Sequence, residues 1–230
     1  RLCPVHNCVR AKGLDTCADC AQMDGCPTLG RIAVNSPFVL EDLKRLREVK
    51  QMKRYIALLR GVNISGKNKV PMAELKKCFE ALGFPEVKTW LNSGNVIFSS
   101  ADGNVTALTD RVGRMIQREF GLDIPVFIIP QEELADILRH APEWWGTENK
   151  EIYDDLIFVL PPAAFPEVYH EIGAPKEGLE QIQEYRSAVF WSFSRKDYQK
   201  TNWWSKTASA AVGPKLTIRT ANTVRKIVHM

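Results

Sequence analysis

The sequence predicts an α+β protein: two ferredoxin-like βαββαβ units in tandem, preceded by a small Cys-rich segment and a connecting helix. Three observations carry this. Five of the six cysteines fall within the first 26 residues. From residue 54 onward, apolar runs of strand length alternate with stretches of helical period in the order βαββαβ. The same order returns after residue 150. The implied division is 1–35 for the Cys-rich segment and 36–52 for the connecting helix. A first unit follows over 53–130, and 131–230 holds a linker helix and the second unit with a C-terminal helix.

Each element has a local reason. In "NSPFVLEDLKRLREVKQMK", Ser36 suits an N-cap, Pro37 the first helical position, and Glu41 and Asp42 the first turn. Leu40, Leu43, Leu46 and Val49 form one stripe, predicting a helix over 37–51. "RYIALLRG" reads as a buried strand. Pro71 opens a helix with Met72, Leu75, Phe79 and Leu82 on one face and Gly83 at its end. "VKTWLNSGNVIFSS" reads as two strands around a Ser-Gly turn. Residues 104–120 form a second amphipathic helix, and "IPVFIIP" a strand. In the second unit "YDDLIFVL" is a strand and "FPEVYHEI" a helix. "QIQEYR" and "AVFWSFS" form a hairpin, "WWSKTASAAVG" a helix over 203–213, "KLTIR" a strand and "ANTVRKIVHM" a last helix. Residues 131–150 hold a helix and a Trp-rich loop.

Composition bounds the function classes. With 230 residues, 45% hydrophobic and 25% charged, the chain is long enough for a sizeable core and ordinary for a soluble globular protein. No apolar run reaches membrane-spanning length and no signal peptide is visible, so a cytoplasmic protein without a membrane partner is expected. The net charge of +4 hides segregation: residues 131–185 carry 13 acids against 3 bases, and residues 186–230 carry 9 bases against one acid, Asp197. Such blocks suit either a self-complementary surface or an anion-binding face.

Residues 61–67, Gly-Val-Asn-Ile-Ser-Gly-Lys, have phosphate-loop spacing, but the residue after Lys67 is Asn68, which has no hydroxyl for magnesium. The helix cannot comfortably start before Pro71, and the predicted sheet is antiparallel. A nucleotide-hydrolysing loop is therefore not expected. With strand order 4-1-3-2, the end of the first strand and the turn between the second and third strands emerge at one edge. That gathers Arg60, Asn63, Ser65, Lys67, Lys69, Asn92, Ser93 and Asn95, a set suited to phosphate or carboxylate. Asn, Ser and Gly are equally the residues that turns need.

"RYIALLRGVNISGKNKVPMAEL", "WLNSGNVIFSS" and "LTIRTANTVRKI" resemble the bacterial family called domain of unknown function 1697, over about residues 53–230. The resemblance implies an α+β fold of ferredoxin-like units and no particular activity. The family usually has Arg-Asn-Trp where this chain has Arg219-Thr220-Ala221; Asn222, Thr223 and Lys226 match. The first 30 residues are similar to the latter part of a Cys-rich family, domain of unknown function 3795. That family usually has more cysteines upstream, which implies an incomplete module here.

The cysteines are the strongest chemical signal. Cys17-Ala-Asp-Cys20 is a C-x-x-C knuckle that lets two thiolates bind one ion. Cys3, Cys8 and Cys26 offer the remaining ligands, with His6 as an alternative. Zinc is the first expectation and an iron–sulfur cluster the second; reduced or disulfide-bonded cysteine in a small loop is the competing reading. No histidine sits in a nucleophile or metal motif. Asp154 and Asp155 point to opposite faces of a strand, which argues against a paired acid/base site. Cys78 reads as core. The last 45 residues are basic and aromatic together. Lys200, Trp203, Trp204, Lys206, Lys215, Arg219, Arg225 and Lys226 are the candidates for nucleic-acid contact. Trp203 and Trp204 are adjacent and cannot both face a helix core, so one is expected at the surface. The competing reading packs this block on the acidic segment. The leading function is a binding module for nucleic acid or another phosphate-bearing ligand. The alternatives are an enzyme acting on a small anionic metabolite at the 60–69/92–95 edge and a protein–protein interaction module.

Overall fold

The structure, a computed structural model, describes residues 4–64 and 66–230. Cys3 and Ser65, both named among the candidate ligands, lie outside the described residues. The chain divides into two units, Arg1–Met52 and Lys53–Met230. Among the described residues no helix is long and apolar enough to cross a membrane.

In the first unit, helix α1 spans Pro4–Ala11, α2 Pro27–Ala33 and α3 Val39–Gln51, with single 3₁₀ turns at Cys17–Asp19 and Met23–Gly25. The Cys17 turn is closed by a capping box. The Thr16 hydroxyl accepts from Ala18 N–H, and the Asp19 carboxylate accepts from Thr16 N–H at 2.9 Å. Helix α3 starts two residues later than the sequence predicts. Ser36 and Pro37 are spent on a turn in which Val39 N–H donates to the Ser36 carbonyl, a turn position that proline favours. Nor is α3 a bare connector. Arg47 donates to the carbonyls of Ala18 and Cys20, and Lys50 pairs with Asp19. Its expected apolar stripe is only half used: Leu40 and Leu43 are partly covered, while Leu46 and Val49 are exposed.

The second unit holds both predicted βαββαβ repeats. In the first repeat, β1 is Lys53–Leu59, α4 Met72–Ala81, β2 Lys88–Trp90, β3 Asn95–Ser100, α5 Val105–Phe120, β4 Val126–Pro130 and α6 Gln131–Arg139. In the second, β5 is Ile152–Val159, α7 Phe165–Ile172, β6 Glu180–Tyr185, β7 Ala188–Ser194, α8 Asn202–Thr207, β8 Leu216–Thr220 and α9 Ala221–Ile227. The sheets are antiparallel, ordered β2-β3-β1-β4 and β6-β7-β5-β8, so each is the 4-1-3-2 arrangement read backwards. Each repeat also adds a helix after its last strand. Asn104 caps α5 by accepting from Ala107 N–H, and Gly121 ends it in the left-handed conformation.

Strand alternation builds three cores. On β1, Tyr55, Ala57 and Leu59 face α4 and α5, whereas Ile56 and Leu58 face inward. On β5, Ile157 and Val159 face α7 and α8, while Leu156 and Phe158 face inward. The inner faces meet around α6 and α9, and the rings of Phe127 and Phe158 lie 5.2 Å apart across the gap. The order of layers is helices, sheet, shared core, sheet, helices.

One helix is shorter than predicted. α8 stops at Thr207 instead of running to Gly213. A continued helix would carry residue 213 about 9 Å along its axis. Instead the chain folds back, and a Cβ at Gly213 would lie 3.4 Å from the Thr207 carbonyl oxygen and 2.9 Å from the Arg60 guanidinium. Tertiary packing overrides the helical period there.

Candidate functional site

Loop 60–69 and turn 92–95 touch. Asn63 Nδ2 donates to the Val70 carbonyl at 2.9 Å and to the Asn92 carbonyl at 2.8 Å, and Asn63 Oδ1 accepts from Val70 N–H. Asn68 closes the loop on the Gly61 carbonyl. Gly94, at φ 73°, comes so close to β1 that a Cβ would lie 2.6 Å from Val62 and 2.7 Å from Leu59, so only glycine fits. Asn63, Ser93 and Asn95, three of the residues expected to meet a ligand, are thus engaged within the protein. Asn95 is fully buried and donates to the Trp90 carbonyl and the Ser93 hydroxyl. Lys67, Lys69 and Asn92 stay exposed, and Arg60 is half-buried beside Gly213.

The group that seals this edge is Arg219, which the sequence places among nucleic-acid contacts. Thr217 and Arg219 alternate with Leu216 and Ile218, whose side chains belong to the outer core, so Arg219 points inward between the sheets. Its Nε donates to Asn95 Oδ1 at 2.5 Å, and Nη2 donates to the carbonyls of Leu59 and Ser93 at 2.8 and 2.9 Å. Nη1 donates to Thr217 Oγ1 and the Ile218 carbonyl. Burial pulls its pKa down to about 10, which still leaves it charged at neutral pH. It is a cross-sheet bolt, unavailable to an external phosphate.

The rest of the basic block divides. Trp203 is fully buried, donating its indole N–H to the Gly173 carbonyl, and cannot stack on a base. The carboxylate of buried Glu180 holds the start of α8 by accepting from Asn202 N–H, Trp203 N–H and the Trp191 indole. Lys215 pairs with Glu167 and Glu171, Lys200 with Asp197, and Lys206 donates to the Ile172 carbonyl. Lys215 thereby joins the basic block to the acidic one. Lys226 is exposed and lies 5.2 Å over the Trp90 ring. Arg225 and Trp204 are also exposed, Trp204 to 43%.

Arg225 also lines a polar cleft of about 460 Å³ at the end of the second sheet. Three cations line it: Lys150, Arg195 and Arg225. Two acids, Glu148 and Asp154, line it as well, and Asp154 is engaged by the Ser192 hydroxyl. Arg225 is held in place by the Gly146 carbonyl and the Trp145 ring. Arg195 stacks 4.3 Å over the exposed ring of Tyr153. From Tyr153 a chain of ring contacts runs through Phe193 to Trp204 and Tyr198, with centroids 5.3, 5.7 and 4.7 Å apart. Beside this chain, on the outer face of β5, sits Asp155. Its cross-strand partners are Trp191 and Thr220, and burial, helped by neighbouring Asp154, raises its pKa to about 6. Tyr153, Arg195 and Lys150 are absent from the residues singled out by sequence. The available signal was cross-strand register: β5 pairs Tyr153 with Phe193, and Arg195 follows on the same face.

In the first unit, Cys8, Cys17, Cys20 and Cys26 line one small cavity, whereas His6 is exposed and does not reach it. Lys12 Nζ lies 3.5 Å from Cys20 Sγ, and backbone N–H groups of Leu29 and Thr28 draw the Cys26 thiol below its ordinary pKa. Among the described residues no group of three or more His, Cys, Asp or Glu side chains is arranged to hold a metal ion. Burial raises the Cys78 thiol, as expected of a core cysteine.

The fold and this surface define an α+β protein of paired ferredoxin-like sheets with a polar cleft on one of them. The chain belongs to the family described as Protein of unknown function (DUF1697), whose model matches residues 52–190. The match leaves the cysteine-rich segment outside. A solved structure, the conserved bacterial protein SP0830 from Streptococcus pneumoniae, is similar at 28% identity and a TM-score of 0.69, covering 77% of this chain and 98% of that one. The first two RRM domains of the yeast poly(U) binding protein Pub1 match at 12% identity, over 72% of this chain and 98% of that one, with a TM-score of 0.20 too low to bear on fold or function. A search of the curated proteins finds no match.

Proposed function

We propose that the protein binds a phosphate-bearing ligand that carries an aromatic base, single-stranded nucleic acid in the first instance, at the end of the second sheet. One observation supports this above the others: a polar cleft is lined by Lys150, Arg195, Arg225 and the exposed ring of Tyr153, which ring contacts through Phe193 link to exposed Trp204. Cations lining a cleft suit a phosphate backbone, and exposed aromatic rings suit bases. The alternative of an enzyme at the 60–69/92–95 edge is weaker, since Asn63, Ser93 and Asn95 there are bonded within the protein.

A fluorescence titration with short single-stranded oligonucleotides at several salt concentrations tests the reading. Binding is expected to weaken with a log–log slope of about −0.7 for each phosphate neutralised. Trp204→Ala and Tyr153→Ala are each expected to lose about tenfold or more in affinity, the cost of one stacked base. Absence of binding at low salt, or binding indifferent to both variants, overturns it.

A further inference from the structure

We propose that the cysteine cavity of the first unit is a tetrathiolate site for one zinc-class divalent ion, with Cys8, Cys17, Cys20 and Cys26 as ligands. The site is independent of the cleft in the second unit.

Four lines of geometry converge on it. The four cysteines come from three places in the chain, α1, the Cys17–Cys20 knuckle and the start of α2, yet they line a single cavity of about 20 Å³. That is room for one water-sized atom, and its remaining walls include Met23 and Leu29, both buried. Second, the knuckle is fixed before any ion arrives. The Thr16–Asp19 capping box holds it from below, and Arg47 binds the carbonyls of Ala18 and Cys20 from α3. Third, the charge is partly offset. A divalent ion with four thiolates carries a net charge of minus two, and the Lys12 ammonium sits 3.5 Å from Cys20 Sγ to offset it.

The fourth line is stability. Only Ala18, Met23 and Leu29 are buried apolar residues among the described residues of Arg1–Met52. Three small contributions do not offset the entropy of ordering a unit of this size, so a cross-link is required. A metal supplies it, because a site absent from the unfolded chain converts binding energy into folding energy. Soft thiolates select zinc over magnesium or calcium. The thiols line the cavity without yet closing on its centre. Binding releases thiol protons to solvent, so affinity rises with pH.

The test uses the full chain, reduced with a phosphine, stripped with a chelator and titrated with Co²⁺ as the probe. About one equivalent is expected to bind, with thiolate-to-cobalt charge-transfer bands and tetrahedral d–d bands that one equivalent of Zn²⁺ bleaches. Serine at position 8, 17, 20 or 26 is expected to lower affinity at least about a hundredfold, while Cys78→Ser and His6→Ala leave it unchanged. Circular dichroism of each metal-free variant against metal-free wild type separates ligand loss from misfolding. Substoichiometric binding, a cobalt spectrum without thiolate bands, or an equal loss in Cys78→Ser overturns the proposal. So does a disulfide joining two of the four cysteines in protein purified without oxidant.

Discussion

The two halves of Lys53–Met230 share an element order and a strand order, yet they cover their outer faces unequally. In the first half a helix of 16 residues, α5, lies beside α4 and buries Leu108, Val112, Met115 and Ile116. Its counterpart α8 has 6 residues and buries only Trp203 and Thr207. The first outer face is closed. The second leaves Trp204 and Tyr153 at the surface and Asp155 half-covered, next to a cationic cleft. A duplicated scaffold thus keeps one copy for stability and opens the other. The shared inner core and the Arg219 bolt let the open copy borrow rigidity from the closed one.

The comparison breaks most sharply at the adjacent tryptophans. Trp203→Ala is expected to cost about 4 kcal/mol, the usual loss for emptying a fully buried tryptophan site. Trp204→Ala, at an exposed ring, should cost about 1 kcal/mol and act on ligand affinity instead. Urea unfolding of the pair checks both, and equal costs would mean that the second face is as closed as the first. Next in size comes Arg219→Ala. It leaves the Leu59 and Ser93 carbonyls and Asn95 Oδ1 without their buried donor, which should cost about 3 kcal/mol. If the halves are truly bolted there, the unfolding transition also broadens or splits. A sharp transition at unchanged midpoint would show that the halves hold together without it.

Much of this was legible from residue order. Strand alternation and the turn at Ser93-Gly94 are local signals for the strands, and the repeated βαββαβ order, matched to the ferredoxin-like pattern, supplies the strand order. α8 was over-extended because its end depends on Gly213 folding back against Thr207, a contact that no helical period encodes. Sequence places Arg219 among ligand-facing cations because its charge is visible there while the opposing sheet is not. Helix spacing says that Trp203 and Trp204 cannot share a core, but which one is buried depends on the Gly173 carbonyl and Glu180, far away in the chain. Tyr153 and Arg195 meet only through the pairing of β5 with β7, which composition cannot supply.

Asp155 gives a smaller effect of opposite sign. Its carboxyl keeps its proton up to about pH 6 in the folded chain, against 3.8 for the ordinary group. Between those values the folded state binds more protons than the unfolded one, so stability falls as pH rises from about 4 to about 6. The full shift is worth at most about 3 kcal/mol, and about half that for a group only partly shielded from water. Asp155→Asn removes the penalty. Its midpoint in urea should exceed wild type at pH 7, match it near pH 4, and lose the slope between. A loss of stability at pH 7 would mean that the open face uses the ionised carboxylate.

The smallest expected effect concerns Lys67 and Lys69, on the closed half. Both are exposed, and the loop that carries them is held by Asn63 and Asn68 rather than by the lysines. The double change Lys67→Ala with Lys69→Ala should therefore leave the urea midpoint within error of wild type. Its effect on oligonucleotide binding is the sharper reading. Two exposed cations outside the cleft lining contribute only general attraction, so affinity should fall less than in Arg195→Ala and the loss should vanish as salt rises. Arg195→Ala removes a cation that sits in the cleft and stacks on Tyr153, and its loss should persist at high salt through the lost ring contact. If the two lysines cost as much as Arg195 at every salt concentration, the ligand crosses both halves and the closed copy is part of the binding surface.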